Sequence, residues 1–307
     1  MTQWFGRLFG GLARGDKAAP PYAGRRWTSA DGLSLYARDY SAAEGPVRLP
    51  VICLHGLTRN SADFEDVAPW IAARGRRVLA VDVRGRGLSD WDPQPMNYHP
   101  GTYAADVLAL LEGLGIGKAL FVGTSMGGLI TMTLAALRPG VVAGTALNDV
   151  GPKLSPVGLG RIAGYAGQVK TCETWEQAAS SMRTVNQSAF PDLNQTDWLA
   201  FAHRTFQPAP GGGLRPSCDP DISAPIKAMA AAPPSDLTPF FTGLTSGRPT
   251  LLVRGELSDL IDAPIAEEMR RLAPDMDYAE VPRVGHAPML TEPRAQEALA
   301  AWLDKAP

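Results

Sequence analysis

Short apolar runs alternate with amphipathic ones over the first half of this chain. Residues 33–40 read as a strand, and Val51–Leu54 is a continuous apolar run that stops at His55-Gly56. A helical pattern covers residues 61–73, and residues 77–83 are apolar and β-branched before they break at Arg84-Gly85-Arg86-Gly87. Residues 102–114 repeat apolar positions at helical spacing, 119–122 read as a strand, 127–137 as a helix and 141–147 as a strand. These strands have no polar face, so both of their sides must be covered, as in a parallel sheet with helices above and below. Strand and helix in regular alternation predict an α/β fold.

The alternation stops after residue 150. From 151 to 247 no strand pattern stands out, several stretches are helical, and Gly211-Gly212-Gly213 and Pro233-Pro234 are strong breakers. Aromatic residues are frequent there, among them Tyr165, Trp175, Phe190, Trp198, Phe201, Phe206, Phe240 and Phe241. Strand patterns return at 250–253 and 278–281, and residues 294–303 read as a helix. We therefore expect a leader over 1–24, a core over 25–150 and 248–307, and a helical cap inserted at 151–247. Within the leader, residues 1–15 carry Trp4, Phe5, Leu8, Phe9 and Leu12 at helix-like spacing but no basic n-region or cleavage site. A frayed or locally packed segment is the expectation, with a weak interfacial helix as the alternative.

Composition narrows the class. The 307 residues can bury roughly three quarters of their unfolded surface, so neither disulfides nor metals are needed for a core. Hydrophobic residues at 45% and charged residues at 20% belong to an ordinary globular chain. A net charge of -2, with basic residues clustered no further than pairs such as Arg25-Arg26 and Arg76-Arg77, argues against nucleic acid or an anionic membrane as partner. Cys53, Cys172 and Cys218 form no Cys-x-x-Cys pattern, which leaves no disulfide framework, zinc motif or redox motif. Free thiols suit a reducing cytoplasm, and no run reaches the ~18 apolar residues of a membrane span. The expectation is a soluble cytoplasmic protein whose partner is a small molecule.

Candidate chemistry centres on Gly123-Thr124-Ser125-Met126-Gly127, a G-x-S-x-G pentamer between a strand and a helix. A sharp strand-to-helix turn there lifts a serine hydroxyl above the sheet and aims the free N–H groups of a helix N-terminus at a developing oxyanion. Serine is a weak nucleophile without a base in hydrogen-bond reach. Of the four histidines, His286 in Gly285-His286-Ala287-Pro288 follows the last strand pattern, where a loop returns to the top of the sheet. His203 falls in the cap and His55 in the first loop, where it reads as a scaffold residue. The acid that orients the base should follow a strand. Asp259, past the strand at 250–253, comes first, with Asp149 at the end of the strand at 141–147 as a rival; Asp262, as a helix cap or loop residue, and Glu256 come behind.

The loop His55-Gly56-Leu57 should supply a second oxyanion donor, so the backbone N–H groups of Leu57 and Met126 are the expected pair. The segment Asp82-Val83-Arg84-Gly85-Arg86-Gly87-Leu88-Ser89 lacks the spacing of a phosphate-binding loop and precedes prolines, so its arginines are expected to brace neighbouring loops. Trp175, Trp198 and Phe206 are candidates for an apolar substrate pocket, with cap core as the alternative for each.

Taken together, His55-Gly56, the turn at residues 82–89, Ser125 in its elbow, Asp259 and Gly285-His286 stand in the order and spacing that resemble the α/β-hydrolase superfamily, in its lid-bearing branch. The resemblance covers residues 28–305. It implies an eight-stranded, mostly parallel sheet with an antiparallel strand near its N-terminal edge, and a cap over the active site. Haloalkane dehalogenases and epoxide hydrolases of that superfamily carry aspartate where this chain has Ser125, and the first loop departs from the His-Gly-Gly-Pro-Gly of proline iminopeptidases. The implied activity is hydrolysis of a carboxylic ester, thioester or lactone without metal or organic cofactor. Carbon–carbon hydrolysis of a ring-cleavage diketone, or a non-catalytic receptor on the same scaffold, are the alternatives.

Overall fold

Val51–Leu54 (β3) carries only apolar side chains and is wholly buried, because it runs through the middle of a sheet with both faces covered. The computed structural model describes residues 20–225 and 236–307. The helix-like pattern at 1–15 and the Pro233-Pro234 breaker lie outside them. Eight strands form the main sheet: β1 (Ala23–Thr28), β2 (Ser34–Tyr40), β3, β4 (Val78–Asp82), β5 (Ala119–Thr124), β6 (Val142–Asn148), β9 (Thr250–Gly255) and β10 (Asp277–Val281). Their spatial order is β1-β2-β4-β3-β5-β6-β9-β10. β2 pairs antiparallel with β1 and β4, while every other pairing is parallel. Strand β1 escapes the apolar pattern because it is an edge strand whose AGRRWT sequence is mostly exposed.

Helices cover the two faces. On one, α2 (Pro100–Gly113), α3 (Met126–Leu137) and α8 (Ala263–Leu272) bury Val107, Leu110, Ile130, Leu134 and Met269 with Phe121 of the sheet. On the other, α1 (Val67–Ala72) and α9 (Pro293–Lys305) bury Ile71, Leu299, Trp302 and Leu303 against Val51, Val78 and Val253. The helical pattern at 61–73 resolves into a short 3-10 turn at Ser61–Phe64 and then α1, with Asn60 accepting from the Ala62 amide at the break.

Between β6 and β9 lie α4 (Pro156–Tyr165), α5 (Trp175–Asn186), α6 (Gln195–Thr205), a short hairpin of β7 (Phe206–Pro208) and β8 (Leu214–Pro216), and α7 (Thr238–Thr245). Helices α5 and α6 and the hairpin share a third core of Ala178, Met182, Trp198, Phe201, Phe206 and Leu214. Two points differ from the sequence expectation. The hairpin was hidden because its strands are three residues each, too short for a period-2 pattern. Helix α7, placed in the cap by its position before residue 247, buries Phe241 and Leu244 in the main core with α3.

The turn after β4 is an ion-pair hub. Arg84, almost fully buried, binds Asp106 through both carboxylate oxygens at 2.6 and 2.7 Å, Asp92 at 2.5 Å and Asp31 at 2.7 Å. Asp82 accepts the amides of Ser61 and Leu88 at 2.6 and 2.8 Å. The arginines brace loops, as the lack of a phosphate-loop spacing suggested. The turn also carries the cap: the Gly87 amide donates to the Ser217 carbonyl at 2.7 Å, and the Asp219 amide to the Gly85 carbonyl at 2.8 Å.

Candidate active site

Ser125 stands at the top of the sheet because the chain reverses sharply between β5 and α3. Its backbone has φ 51° and ψ -114°, a left-handed conformation that costs a non-glycine residue free energy and marks sites where geometry is fixed from outside. The surrounding glycines make the reversal possible. A Cβ on Gly127 would stand 2.0 Å from the Leu54 carbonyl oxygen of β3, and one on Gly123 would stand 2.6 Å from the Gly127 backbone. Neither obstacle is a flexible side chain. We expect Gly127→Ala to lose several kcal/mol of stability by forcing α3 off the sheet, beyond the usual ~1–3 kcal/mol of overpacking. A Tm within about 2 °C of the parent would contradict this packing.

His286 brings its ring to the serine. Its Nε2 lies 2.9 Å from the Ser125 Oγ, and its Nδ1 lies 2.8 Å from an oxygen of Asp149. Asp149 is fully buried, and the same carboxylate accepts the Gly255 amide at 3.0 Å and the Ser258 hydroxyl at 2.5 Å. Its own backbone is left-handed, with φ 54°, which turns the side chain back across the end of β6 towards β9. In this arrangement Nδ1 of His286 donates to Asp149, and Nε2 is free to accept the serine proton.

Asp259, the first-ranked acid from the sequence, is not at the histidine. The loop beyond β9 carries it outward to α4, where Arg161 donates to its two carboxylate oxygens at 2.5 and 2.8 Å. That guanidinium holds the Asp259 carboxyl below the usual range. The backbone at Asp259 and Leu260 also packs on Gly158 of α4, where a Cβ would stand 2.7 Å away. The rival at the end of β6 occupies the place instead, since β6 and β9 are neighbours and either strand end reaches the same ring. Asp262 caps α8 by accepting the Ile265 amide at 2.9 Å, and Glu256 accepts the Arg283 amide at 2.7 Å. His203 stacks on Trp175 within the cap, with ring centroids 3.8 Å apart.

The loop after β3 lies over the serine: a Cβ on Gly56 would stand 3.9 Å from that of Ser125. Met126 is the first residue of α3, so its amide has no partner within the helix. Among the described residues the Leu57 amide makes no hydrogen bond either. Fully buried Arg86, which the sequence did not single out for this role, steadies both residues. Its Nε donates to the Leu57 carbonyl at 2.9 Å, a terminal nitrogen reaches the Met126 sulfur at 3.6 Å, and another meets the Tyr103 hydroxyl at 2.8 Å.

His55 is a scaffold residue. It is fully buried, one ring nitrogen meets the Gly56 carbonyl at 2.7 Å, and the other accepts the Val83 amide at 3.1 Å. Burial pushes its ring down to about 4 from the ordinary 6.5. Between those values the unfolded chain binds a proton that the folded protein refuses. The stability contributed by neutral His55 is therefore complete above about pH 6.5 and is lost as pH falls towards 4. The full loss is on the order of 3 kcal/mol. We expect thermal denaturation of His55→Gln to show a flatter acid limb than the parent over that window; parallel limbs would contradict it.

Ser125 and His286 open onto a cavity of about 320 Å³ that is walled by both core and cap. Its aromatic lining is Phe64, Trp91, Tyr165, Phe190 and Phe201. Trp175, Trp198 and Phe206, the expected pocket residues, do not line it. Trp198 and Phe206 fill the cap core, and Trp175 packs at its edge. Helical spacing marks which residues turn inward within the cap but not which face of the cap meets the core. Among the described residues no group of three or more His, Cys, Asp or Glu is placed to hold a metal, and no helix is long and apolar enough to cross a membrane.

Comparisons with known proteins agree with this architecture. The chain is 35% identical over 257 residues to the 3-hydroxybutyrate-oligomer hydrolase of Cupriavidus necator, covering 81% of this chain and 86% of that one. It is 31% identical over 242 residues to the 2-(acetamidomethylene)succinate hydrolase of Mesorhizobium japonicum, covering 79% and 82%. A crystal structure of an alpha/beta hydrolase from Novosphingobium aromaticivorans superposes with a TM-score of 0.87 at 42% identity, over 94% of this chain and 100% of that one. The sequence profile of the alpha/beta hydrolase family matches residues 51–301. With its eight-stranded, mostly parallel sheet flanked by helices, the chain belongs to the alpha/beta hydrolase family.

Proposed function

We propose that this protein is a serine hydrolase that cleaves a carboxylic ester, thioester or lactone through an acyl-enzyme on Ser125. The observation that carries the proposal is the unbroken row Ser125–His286–Asp149, with contacts of 2.9 and 2.8 Å beneath an apolar cavity. Similarity to a 3-hydroxybutyrate-oligomer hydrolase supports hydrolytic chemistry.

In this reading the Ser125 hydroxyl attacks the carbonyl carbon while Nε2 of His286 takes its proton. Asp149 holds the ring in the tautomer that exposes Nε2 and stabilises the imidazolium that forms. The amides of Leu57 and Met126 bind the oxyanion, and Arg86 keeps the Leu57 loop at its distance. Collapse of the tetrahedral intermediate sends the proton from His286 to the departing alkoxide or thiolate. Water, deprotonated by the same ring, then attacks the acyl-enzyme and regenerates Ser125. The sequence of steps needs no metal or organic cofactor.

Labelling with a fluorophosphonate, together with assays on 4-nitrophenyl esters and on a ring-fission diketone, tests the proposal. We expect labelling at Ser125 and ester turnover. Labelling that persists in full in Ser125→Ala, or activity confined to the diketone, would overturn it.

A further inference from the structure

Three arginines line the cavity that holds Ser125, and two of them are committed. Arg59 binds Asp63 through Nε at 2.9 and 3.0 Å, also donates to the Thr205 hydroxyl, and lies 4.0 Å over the Phe201 ring. Arg204 binds Glu65 at 2.7 Å and Asp66 at 2.6 Å. The third, Arg215, makes no ion pair among the described residues. Its Nε is buried without a hydrogen-bond partner. Asp63, the carboxylate among the described lining residues, is taken by Arg59, so among the described residues nothing in the cavity wall answers the Arg215 charge.

Arg215 is nevertheless held in place. It sits on β8, in register with Gln207 of β7, and its guanidinium lies 4.8 Å over the ring of Trp91, which also lines the cavity. Leaving a half-buried guanidinium without an anion is costly in a lining made mainly of apolar side chains. Stacking on an indole orients the planar fork without satisfying its N–H donors. A fixed, donor-rich cation against an apolar wall suits a carboxylate, which accepts two parallel N–H bonds from one guanidinium.

We propose that Arg215 is a specificity residue that binds a carboxylate carried by the substrate, so that this site acts on esters bearing a carboxylate away from the scissile carbonyl. The inference rests on the Ser125 hydrolase reading for its chemistry but not for its binding. The carboxylate pairs with Arg215, the remaining carbon chain lies along the aromatic lining, and the ester carbonyl meets Ser125. Neutral esters of the same length leave Arg215 unanswered and pay its desolvation without return.

The test compares mono-4-nitrophenyl esters of succinic, glutaric and adipic acid with 4-nitrophenyl alkanoates of matched length. The series lets the protein select the separation between carboxylate and carbonyl. For the best-fitting member we expect kcat/KM to exceed that of its alkanoate by about tenfold or more, as a charge-assisted hydrogen bond provides. Arg215→Gln should lower that selectivity ratio by about 10- to 100-fold, and Arg215→Lys should restore part of it, since an ammonium keeps the charge but not the fork. In parallel, calorimetry on Ser125→Ala with the monomethyl esters of the three diacids reads binding without turnover. Its Kd should weaken by a similar factor when Arg215→Gln is added.

A selectivity ratio unchanged by Arg215→Gln, or an unchanged Kd in the double variant, would overturn the proposal. If alkanoates turn over in a Ser125-dependent way and no carboxylate preference exists, the carboxylate site falls and the hydrolase reading stands. If Arg215-dependent binding is present while no ester shows Ser125-dependent turnover, the reverse holds.

Discussion

Ser125→Ala is expected to lower kcat on a 4-nitrophenyl ester by about 10⁶-fold, to the level supported by oxyanion donors and binding alone. The argument is geometric. The hydroxyl sits within 2.9 Å of the base, on a turn whose left-handed backbone marks a geometry fixed from outside. Alanine keeps the Cβ and removes only the attacking atom, so the fold and the cavity should survive. Circular dichroism and Tm should match the parent while fluorophosphonate labelling disappears. A loss below about 100-fold would mean that the acyl group travels through another residue.

Asp149→Asn carries the second-largest expected effect, a fall in kcat of about 10⁴-fold. The asparagine oxygen still accepts from Gly255 at the Oδ1 position, and the Ser258 hydroxyl, which then meets the amide NH2 in place of Oδ2, can turn to accept from it, so the local fold keeps its partners. Facing His286, however, the amide no longer offers two acceptor oxygens, and an N–H turned to Nδ1 selects the tautomer with a proton on Nε2. That tautomer cannot take the serine proton. Asp259→Asn gives the contrast: it weakens an ion pair with Arg161 and should cost less than about tenfold in kcat. The two variants assayed side by side decide between the strand ends. Equal losses, or a larger loss at Asp259, would return the orienting role to the loop after β9.

The ambiguity between these two aspartates shows where sequence reading reaches its limit. Ser125 was legible because it sits in a glycine-bounded motif at the end of the apolar strand β5, and His286 because it follows Gly285 in the loop after the last strand. The central strands were legible for the same reason: a wholly buried strand cannot hide its composition. The acid was harder, because two aspartates follow neighbouring strands and only side-chain direction separates them. Asp149 follows Asn148 directly off β6, whereas Asp259 lies four residues beyond the end of β9 and has an arginine waiting on the cap. A shorter distance from the strand end was the available signal. The pocket residues were illegible for another reason. A cap aromatic packs inward or faces the cavity according to how the cap docks, and docking depends on pairs such as Arg204 with Glu65 and Asp66, distant in sequence.

Those docking pairs have a consequence for recombination. The segment between β6 and α7 looks like a cassette that could be exchanged between related hydrolases to transplant specificity. Its footing, however, is distributed: Arg204 rests on Glu65 and Asp66, Arg161 on Asp259, and the backbone at Ser217 and Asp219 on the turn at Gly85 and Gly87. A chimaera that moves the cassette alone strands five acceptors or donors on the recipient and leaves the transplanted arginines facing foreign side chains. Grafts that carry positions 65, 66, 85–87 and 259 along with the cassette keep both halves of these ties, and the lineage of this cap is then a property of the whole chain.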